Sequence, residues 1–265
     1  MSKKWHKLVF KQLQPIHIGM GSYGVISETR IFIPGWTMWG ALTKAYNIQC
    51  SQRKLSDNQE VFKEISCFYP CFDKQGENPL LPEYKNGEFY LGRYSEDEFR
   101  AMFVDTYVST AIVPTSRMAK DESLHEIDVI LPQEKVEVIS SGDKKELYWT
   151  GIINIDESIK QNFLKTGLII YVGGDVRYGL GKFKLVPLKD TSDDLQKHKK
   201  FFSANYISVK SNNLKKINSQ IELIIEIEGY HKNELLIKDR EYCFLPGHSL
   251  NTFLNTTLNK GKIQT

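Results

Sequence analysis

The chain has 265 residues, of which 35 are Lys or Arg and 32 are Asp or Glu, for a formal net charge of +3. This length suits one large domain or two small ones, and so small a charge does not by itself mark a nucleic-acid binder, although local basic patches decide such affinity. No run of 18 apolar residues occurs and no apolar segment follows Lys3 and Lys4, so we expect neither a membrane span nor a signal peptide.

Predicted strands and a helix alternate in the first fifty residues. The apolar spacing predicts strands over 7–18 and 25–33, joined by a flexible turn at 19–24. Pro34-Gly35 ends the second strand, and Thr37 is the predicted N-cap of the helix that follows. The N-terminus of such a helix offers backbone N–H groups and the positive end of a dipole to an anion.

The middle of the chain is predicted to contain an insertion at about 50–105, which is rich in Pro and Gly. Within it, Ser95 followed by Glu96-Asp97-Glu98 predicts the capped, acidic start of a short helix. Strand patterns at 107–113 and 124–130 then flank a polar tip. Together they predict a long β-hairpin.

A glycine-rich stretch, 173–181, has the sequence GGDVRYGLG and is the most informative segment of the chain. It follows a predicted strand at 147–155 and a helix at 158–166, and strand-like runs flank it. Glycines let a backbone approach a ligand closely, and the planar guanidinium of Arg177 suits phosphate, so the segment predicts an anion-binding loop. Because no helix pattern follows Gly181, neither a Walker A loop nor a dinucleotide fingerprint fits.

The C-terminal part contains a strand pattern at 221–227 and then a segment, 242–254, that resembles 31–42: a strand, Pro-Gly, and an apolar helical pattern. We interpret 1–188 as the main domain and 189–265 as a C-terminal extension, and one interpretation of the extension is a degenerate second copy of the same unit. The order of elements predicts an α+β fold into which a ferredoxin-like (RRM-like) arrangement fits.

The chain has four cysteines: Cys50, Cys67, Cys71 and Cys243. Their spacing does not match the paired ligands of a zinc site, so we expect reduced thiols in a cytoplasmic protein. Glu126 and Asp128 lie two apart on one strand without an evident third ligand. No metal and no cofactor is therefore predicted.

Three segments, in this order, resemble CRISPR-associated RAMP proteins. The first runs from Gln14-Pro15-Ile16-His17-Ile18-Gly19 to the Ile33-Pro34-Gly35 helix start, the second is the hairpin at 110–126, and the third is the glycine-rich stretch. The resemblance covers roughly residues 7–188. It implies a ferredoxin-like core and a place in a type III CRISPR effector complex, where such subunits hold the guide RNA and meet the target RNA paired to it.

The resemblance implies an RNA-binding structural subunit whose partners are guide RNA, target RNA and other type III subunits, with no membrane. Backbone N–H groups and arginine would contact phosphates, and aromatic side chains would stack on bases, so binding would not read sequence. The candidate RNA-binding residues are Gly21, Ser22, Tyr23, Trp36, Thr37, Arg117, Met118, Lys120, Gly173, Gly174, Arg177, Tyr178, Gly179 and Gly181.

Catalysis is the least determined property. Related backbone subunits cut target RNA with an aspartate in the loop before the Pro-Gly motif, and residues 20–30 contain none. Glu28 could replace the aspartate chemically, but the Glu28-Thr29 pattern favours a structural role. We therefore expect a subunit without nuclease activity. Two alternatives stay open: a guide-RNA-processing endoribonuclease that uses His17 as general acid or base, and a scaffold or small-molecule binder without RNA. A hydrogen-bonded structural role is favoured for His17, because no catalytic partner is evident.

Overall fold

A computed structural model describes residues 3–50, 57–135, 144–187, 200–211, 214–216, 220–231, 234–250 and 257–264. The described residues form a mixed α+β fold, which confirms the predicted class. The helices are α1 (Gly35–Gln49), α2 (Glu96–Phe103) and α3 (Glu157–Asn162). None of the helices in these ranges is long and apolar enough to cross a membrane.

The strands up to the glycine-rich stretch and its partner are β1 (Lys3–Gln12), β2 (Gly19–Tyr23), β3 (Ile26–Thr29), β4 (Tyr69–Cys71), β5 (Pro82–Lys85), β6 (Glu88–Leu91), β7 (Tyr94–Ser95), β8 (Val104–Ser109), β9 (His125–Ile130), β10 (Tyr148–Asp156), β11 (Ile169–Tyr171) and β12 (Lys182–Leu185). The later strands are β13 (Tyr206–Ser208), β14 (Leu214–Lys216), β15 (Ile221–His231), β16 (Glu234–Phe244), β17 (Ser249–Leu250), β18 (Thr257–Asn259) and β19 (Lys262–Gln264).

The main sheet is antiparallel and has the order β11-β12-β1-β10-β4. Its strand β4 comes from within the predicted insertion at 50–105. Alternate residues of strand β10 point to opposite faces of the sheet, and residues on both faces are buried. Ile153 joins the main core with Met38 and Leu42 of α1, whereas Ile152 joins a second cluster with Phe202.

A second sheet stands beside the main one, in the order β2-β3-β9-β8. Its strands β8 and β9 are antiparallel and confirm the predicted hairpin. The predicted turn at 19–24 is wrong for most of its length. Residues 19–23 form a strand paired with β3, and only Gly24, at φ 62°, adopts the left-handed conformation that a tight turn requires.

Two helix starts were predicted from their capping residues, and one of them is wrong. The N-cap of α1 is Pro34, and Thr37 lies inside the first turn, where its N–H donates to the Pro34 carbonyl oxygen at 3.0 Å. The first helical residue, Gly35, packs against the backbone of Gly261, so closely that a Cβ on Gly35 would overlap it. The start of α2 is as predicted: Ser95 and Glu98 form a reciprocal capping box.

The C-terminal part builds a third sheet, in the order β15-β16-β13-β19-β18, in which β15 and β16 form a ribbon of eleven residues each. The predicted strand at 221–227 lies in β15. The predicted boundary at 188/189 and the end of the segment at 242–254 lie outside the described residues.

Candidate functional site

A cleft of about 430 Å³ lies between the N-terminal turns of α1 and the glycine-rich stretch. Its lining residues are Ile18, Gly19, Arg30, Pro34, Trp36, Thr37, Gly40, Ala41, Lys44, Tyr171, Gly173, Gly174 and Val176. The sequence predicted both of these segments as anion sites. They lie more than 130 residues apart in the chain but face one another in the structure. Four of the predicted RNA-binding residues meet here: Trp36, Thr37, Gly173 and Gly174.

The α1 side of the cleft is electropositive. In the described ranges no side-chain hydrogen bond caps the N-terminus of this helix, and its first turn contains no acidic residue. The positive end of the helix dipole is thus not neutralised by the helix itself. Lys44 adds an exposed ammonium group that forms no ion pair with the described residues. Both features favour an anion in the cleft.

The glycines have different roles in the structure. At Gly173 and Gly181, φ is 85° and 81°, and a Cβ would overlap the carbonyl oxygen of His17 or Val172. The N–H of Gly181 donates to the Pro15 carbonyl oxygen at 2.7 Å. These two glycines therefore hold the loop against its neighbours, and the Gly181 N–H is not available to an anion.

Gly174 is also committed to the fold, because its N–H donates to the His17 carbonyl oxygen at 2.9 Å. Gly179 differs from the others: φ is 85°, yet nothing lies within 4 Å of the position of a Cβ. Its N–H donates to the Val176 carbonyl oxygen at 3.2 Å. The glycine backbone thus shapes the loop and supplies fewer N–H groups to a ligand than the sequence suggested.

The side chains of Arg177 and Tyr178 project from the loop. They lie in a 3₁₀ turn, Val176–Tyr178, and Tyr178 is 85% exposed. Arg177 is exposed, and no hydrogen bond or ion pair joins its guanidinium to the part of the chain that the structure describes. A guanidinium that stabilised the loop would bond its carbonyl oxygens, so this one is available to a ligand.

His17 is held in place as a structural residue. Its side chain is buried, and its ring nitrogen Nδ1 lies 2.8 Å from the Asp128 carbonyl oxygen. Its ring also packs beside Gly19 and Gly174. Among the described residues, no carboxylate or second histidine hydrogen-bonds this ring, which favours the structural interpretation over a general acid or base.

Arg30 lines the cleft but is largely neutralised. Its guanidinium forms a two-pronged ion pair with Glu222 of β15, and it also donates to the Tyr206 hydroxyl at 3.3 Å and to the Gly19 carbonyl oxygen at 3.3 Å. Burial by itself lowers the pKa of Arg30, but the nearby Tyr206 hydroxyl and the Glu222 carboxylate outweigh this effect, and the pKa is raised. The pair joins the C-terminal ribbon to the wall of the cleft.

The remaining candidates form a separate group on the hairpin sheet. Tyr23 at the end of β2 and Met118 at the hairpin tip are 69% and 67% exposed. Gly21, Ser22, Arg117 and Lys120 are exposed as well. None of these six lines the cleft. The hairpin therefore presents an apolar and basic surface of its own, apart from the cleft.

The catalytic and metal candidates show no reactive arrangement. Glu28 is half-buried on β3, opposite Gly21 of β2. In the described residues, no group of three or more His, Cys, Asp and Glu side chains could hold a metal ion.

Among the RNA-binding candidates, Trp36 packs against Tyr206, with 4.8 Å between the two ring centroids, so this contact occupies part of the Trp36 ring.

Sequence reasoning missed Arg30, Lys44 and Tyr171 as cleft residues. Lys44 had a readable signal, because it lies two helical turns after Thr37 on the predicted helix. Arg30 and Tyr171 had none, because their place depends on how the main sheet and β15 pack.

No protein-family model matches the chain, and no curated protein does. Solved structures that share its fold include two of a type III-B assembly. One is a cryo-EM structure of the Type III-B Cmr-beta bound to cognate target RNA and AMPPnP, and the other is the Type III-B Cmr-beta bound to cognate target RNA. Each match has a TM-score of 0.58 and 14% identity, and covers 92% of this chain and 86% of that chain. The chain thus has the fold of a chain in a type III CRISPR assembly, which confirms, at the level of the fold, the resemblance to CRISPR-associated RAMP proteins.

Proposed function

We propose that this protein is an RNA-binding structural subunit of a type III CRISPR effector complex. It holds guide RNA, alone and paired with target RNA, through contacts to the backbone of the RNA. The observation that carries the proposal is the cleft in which the N-terminus of α1, Lys44 and the glycine-rich stretch meet. Beside it lies Arg177, whose guanidinium forms no hydrogen bond or ion pair with the described residues. The structural neighbours are assemblies bound to cognate target RNA, which supports the same proposal.

The core of the proposed subunit is ferredoxin-like. Read along the chain, β1, α1, β4, β10, α3 and β12 follow the order β-α-β-β-α-β, and these strands lie in the order β12-β1-β10-β4. This alternation is the split βαβ arrangement of that fold. The glycine-rich stretch connects β11 to β12 at one edge of this sheet.

The chemistry of the cleft suits phosphate and not bases. A helix N-terminus, an ammonium and a guanidinium recognise charge and fork geometry, which are the same at every nucleotide. The exposed ring of Tyr178 next to Arg177 adds a surface on which a single-stranded base can stack. A subunit of this kind binds RNA without sequence preference, as a guide-holding protein requires.

We propose a non-cleaving subunit that works in the cytoplasm. Glu28, the residue nearest to the expected catalytic position, is half-buried in a strand, and His17 is held by backbone contacts. The guide-processing alternative requires His17 as general acid or base. It predicts site-specific cutting of repeat RNA that His17→Ala abolishes.

The direct test is the affinity of the purified chain for a labelled single-stranded RNA, measured by fluorescence anisotropy over a series of salt concentrations. Arg177→Ala is expected to weaken binding about three- to tenfold and to lower the salt slope by about one, because one phosphate contact is lost. Lys44→Ala is expected to act similarly.

A matched control is Arg93→Ala, which removes one exposed arginine from the turn between β6 and β7, outside the cleft. Equal affinity and salt slope in Arg93→Ala and Arg177→Ala would contradict the proposed phosphate contact. Incubating the same preparations with repeat RNA and with target RNA reports any cleavage, and cutting by the wild-type chain would contradict the structural role.

A further inference from the structure

The C-terminal ribbon turns its apolar residues outward. On β15, Ile221, Leu223, Ile225 and Ile227 are between 41% and 54% exposed. The alternate residues on the other face include two glutamates. A strand packed on a core normally shows the opposite pattern, with apolar residues inside and charged residues outside.

Ion pairs hold β15 in this orientation. Glu222 is bound by the buried guanidinium of Arg30, and Glu226 accepts from Lys260 at 2.6 Å and from Lys238 at 3.4 Å. Moving the strand by one residue would bury the apolar side chains but would break these pairs. The exposed apolar row is therefore specified by the sequence and is not a failure of packing.

The backbone edge of β15 is also open. In the part of the chain that the structure describes, β15 pairs with β16 and with no other strand, and it lies at the end of its sheet. An exposed edge strand with an apolar row is a template for pairing with another strand. Natural proteins usually protect such an edge with charges or a covering element, and the outward row here contains no charge between Ile221 and Ile227.

We propose that β15 pairs antiparallel with β15 of a second copy of this chain, so that the two C-terminal sheets become continuous. In antiparallel self-pairing centred on Ile224, Ile221 lies beside Ile227 and Leu223 beside Ile225 of the other copy, so every member of the row meets an apolar residue. Such a two-fold contact is self-complementary and closes.

The inner face tolerates the same pairing. It brings Glu222 of one copy near Glu226 of the other, and both carboxylates already have cationic partners within their own chain.

The edge of the ribbon is also a better contact surface than its flat face. Arg240 lies opposite Ile225 on the neighbouring strand, and face-to-face packing would bury its charge, whereas edge pairing leaves it in water.

The contact is expected to be weak. The exposed surface of the four residues is on the order of 400 Å² per copy, and edge pairing covers only part of it, so the contact buries at most about half of one partner's share of a standard interface. Backbone hydrogen bonds along the edge add to this area. We therefore expect a monomer–dimer equilibrium in the micromolar range, which is independent of RNA binding.

The experiment is sedimentation velocity of the nuclease-treated full chain from about 1 to 200 μM, a range set around the expected affinity. Nuclease treatment removes RNA that could bridge two copies, so the result is separate from the proposed function. The wild type is expected to shift from monomer to dimer with concentration, and Ile225→Lys is expected to stay monomeric. Circular dichroism checks that this variant is folded.

The control is Ile48→Lys, which changes an isoleucine that is 70% exposed in the last turn of α1, away from β15. It is expected to dimerise as the wild type does. Amide hydrogen exchange gives a second measurement, because residues 221–227 should become more protected as concentration rises. A wild-type chain that stays monomeric at 200 μM, a dimer unaffected by Ile225→Lys, or a dimer without added protection at 221–227 would each overturn the proposal.

Discussion

Alanine substitutions at two glycines of the 173–181 stretch separate backbone conformation from close packing. Gly179 and Gly181 have nearly the same φ, 85° and 81°, so an alanine at either residue enters the left-handed region. That strain costs about 1–2 kcal/mol at each position. The surroundings differ: a Cβ at Gly179 meets open space, whereas a Cβ at Gly181 overlaps the Val172 carbonyl oxygen.

The overlap at Gly181 adds a second cost. The Gly181 N–H donates to the Pro15 carbonyl oxygen at 2.7 Å, and the Gly181 carbonyl oxygen accepts from the Val172 N–H at 2.9 Å. Moving the loop to make room for a methyl group weakens both bonds, each of which contributes about 0.5–1.5 kcal/mol. We therefore expect Gly181→Ala to lower the free energy of unfolding by about 2–5 kcal/mol, against about 1–2 kcal/mol for Gly179→Ala.

Urea unfolding followed by circular dichroism measures this difference, with the slope m used to check that both variants unfold as the wild type does. Gly173→Ala, whose Cβ would overlap the His17 carbonyl oxygen, should behave like Gly181→Ala. If Gly179→Ala and Gly181→Ala cost the same within about 0.5 kcal/mol, the close approach of the loop to β11 is not what selects glycine at 181, and the reasoning fails.

Two further predictions concern buried titratable groups. Burial lowers the pKa of His248 from its ordinary value of 6.5, so the folded state disfavours the protonated imidazole. The contribution of His248 to the free energy of unfolding should be complete above pH 6.5 and should decline as the pH falls below it. His248→Gln should reduce this decline in urea titrations at a series of pH values, and an unchanged pH dependence would contradict the prediction. A thiol reagent such as DTNB should label one cysteine in the native protein, the exposed Cys50, and four in denaturant. The other three, Cys67, Cys71 and Cys243, are buried, and burial raises the pKa of each thiol to about 12. Labelling of more than one cysteine in the native protein would refute this prediction.

Local signals in the sequence predicted elements whose residues interact within a few positions. The Ser95 capping box is such a case, because both of its hydrogen bonds join Ser95 to Glu98. The strict alternation at 124–130 likewise predicted β9. For the candidate site, the glycine-rich stretch and the presence of a helix next to Pro34-Gly35 were both recognised from their residues, although the first residue of that helix was not.

Other features depend on contacts that no local pattern contains. Thr37 has a good N-cap side chain, but the helix begins at Gly35, whose close contact with Gly261 joins residues more than 220 positions apart. The sequence also did not reveal that the N–H groups of Gly174 and Gly181 donate to the carbonyl oxygens of His17 and Pro15. The proposed anion contacts therefore rest on Arg177 and on the N-terminus of α1.

The sequence by itself determined the α+β class, the hairpin, the glycine-rich stretch and a strand at 221–227. The tertiary structure decided that the helix start and the glycine-rich stretch face one cleft, and which side of β15 points outward. Alternation shows that a strand has an apolar face and a charged face, but both orientations satisfy it equally. The choice came from Arg30 and Lys260, which are distant in sequence from the glutamates that they bind. The guanidinium of Arg30 is buried, and a buried cation must be paired wherever the fold places it.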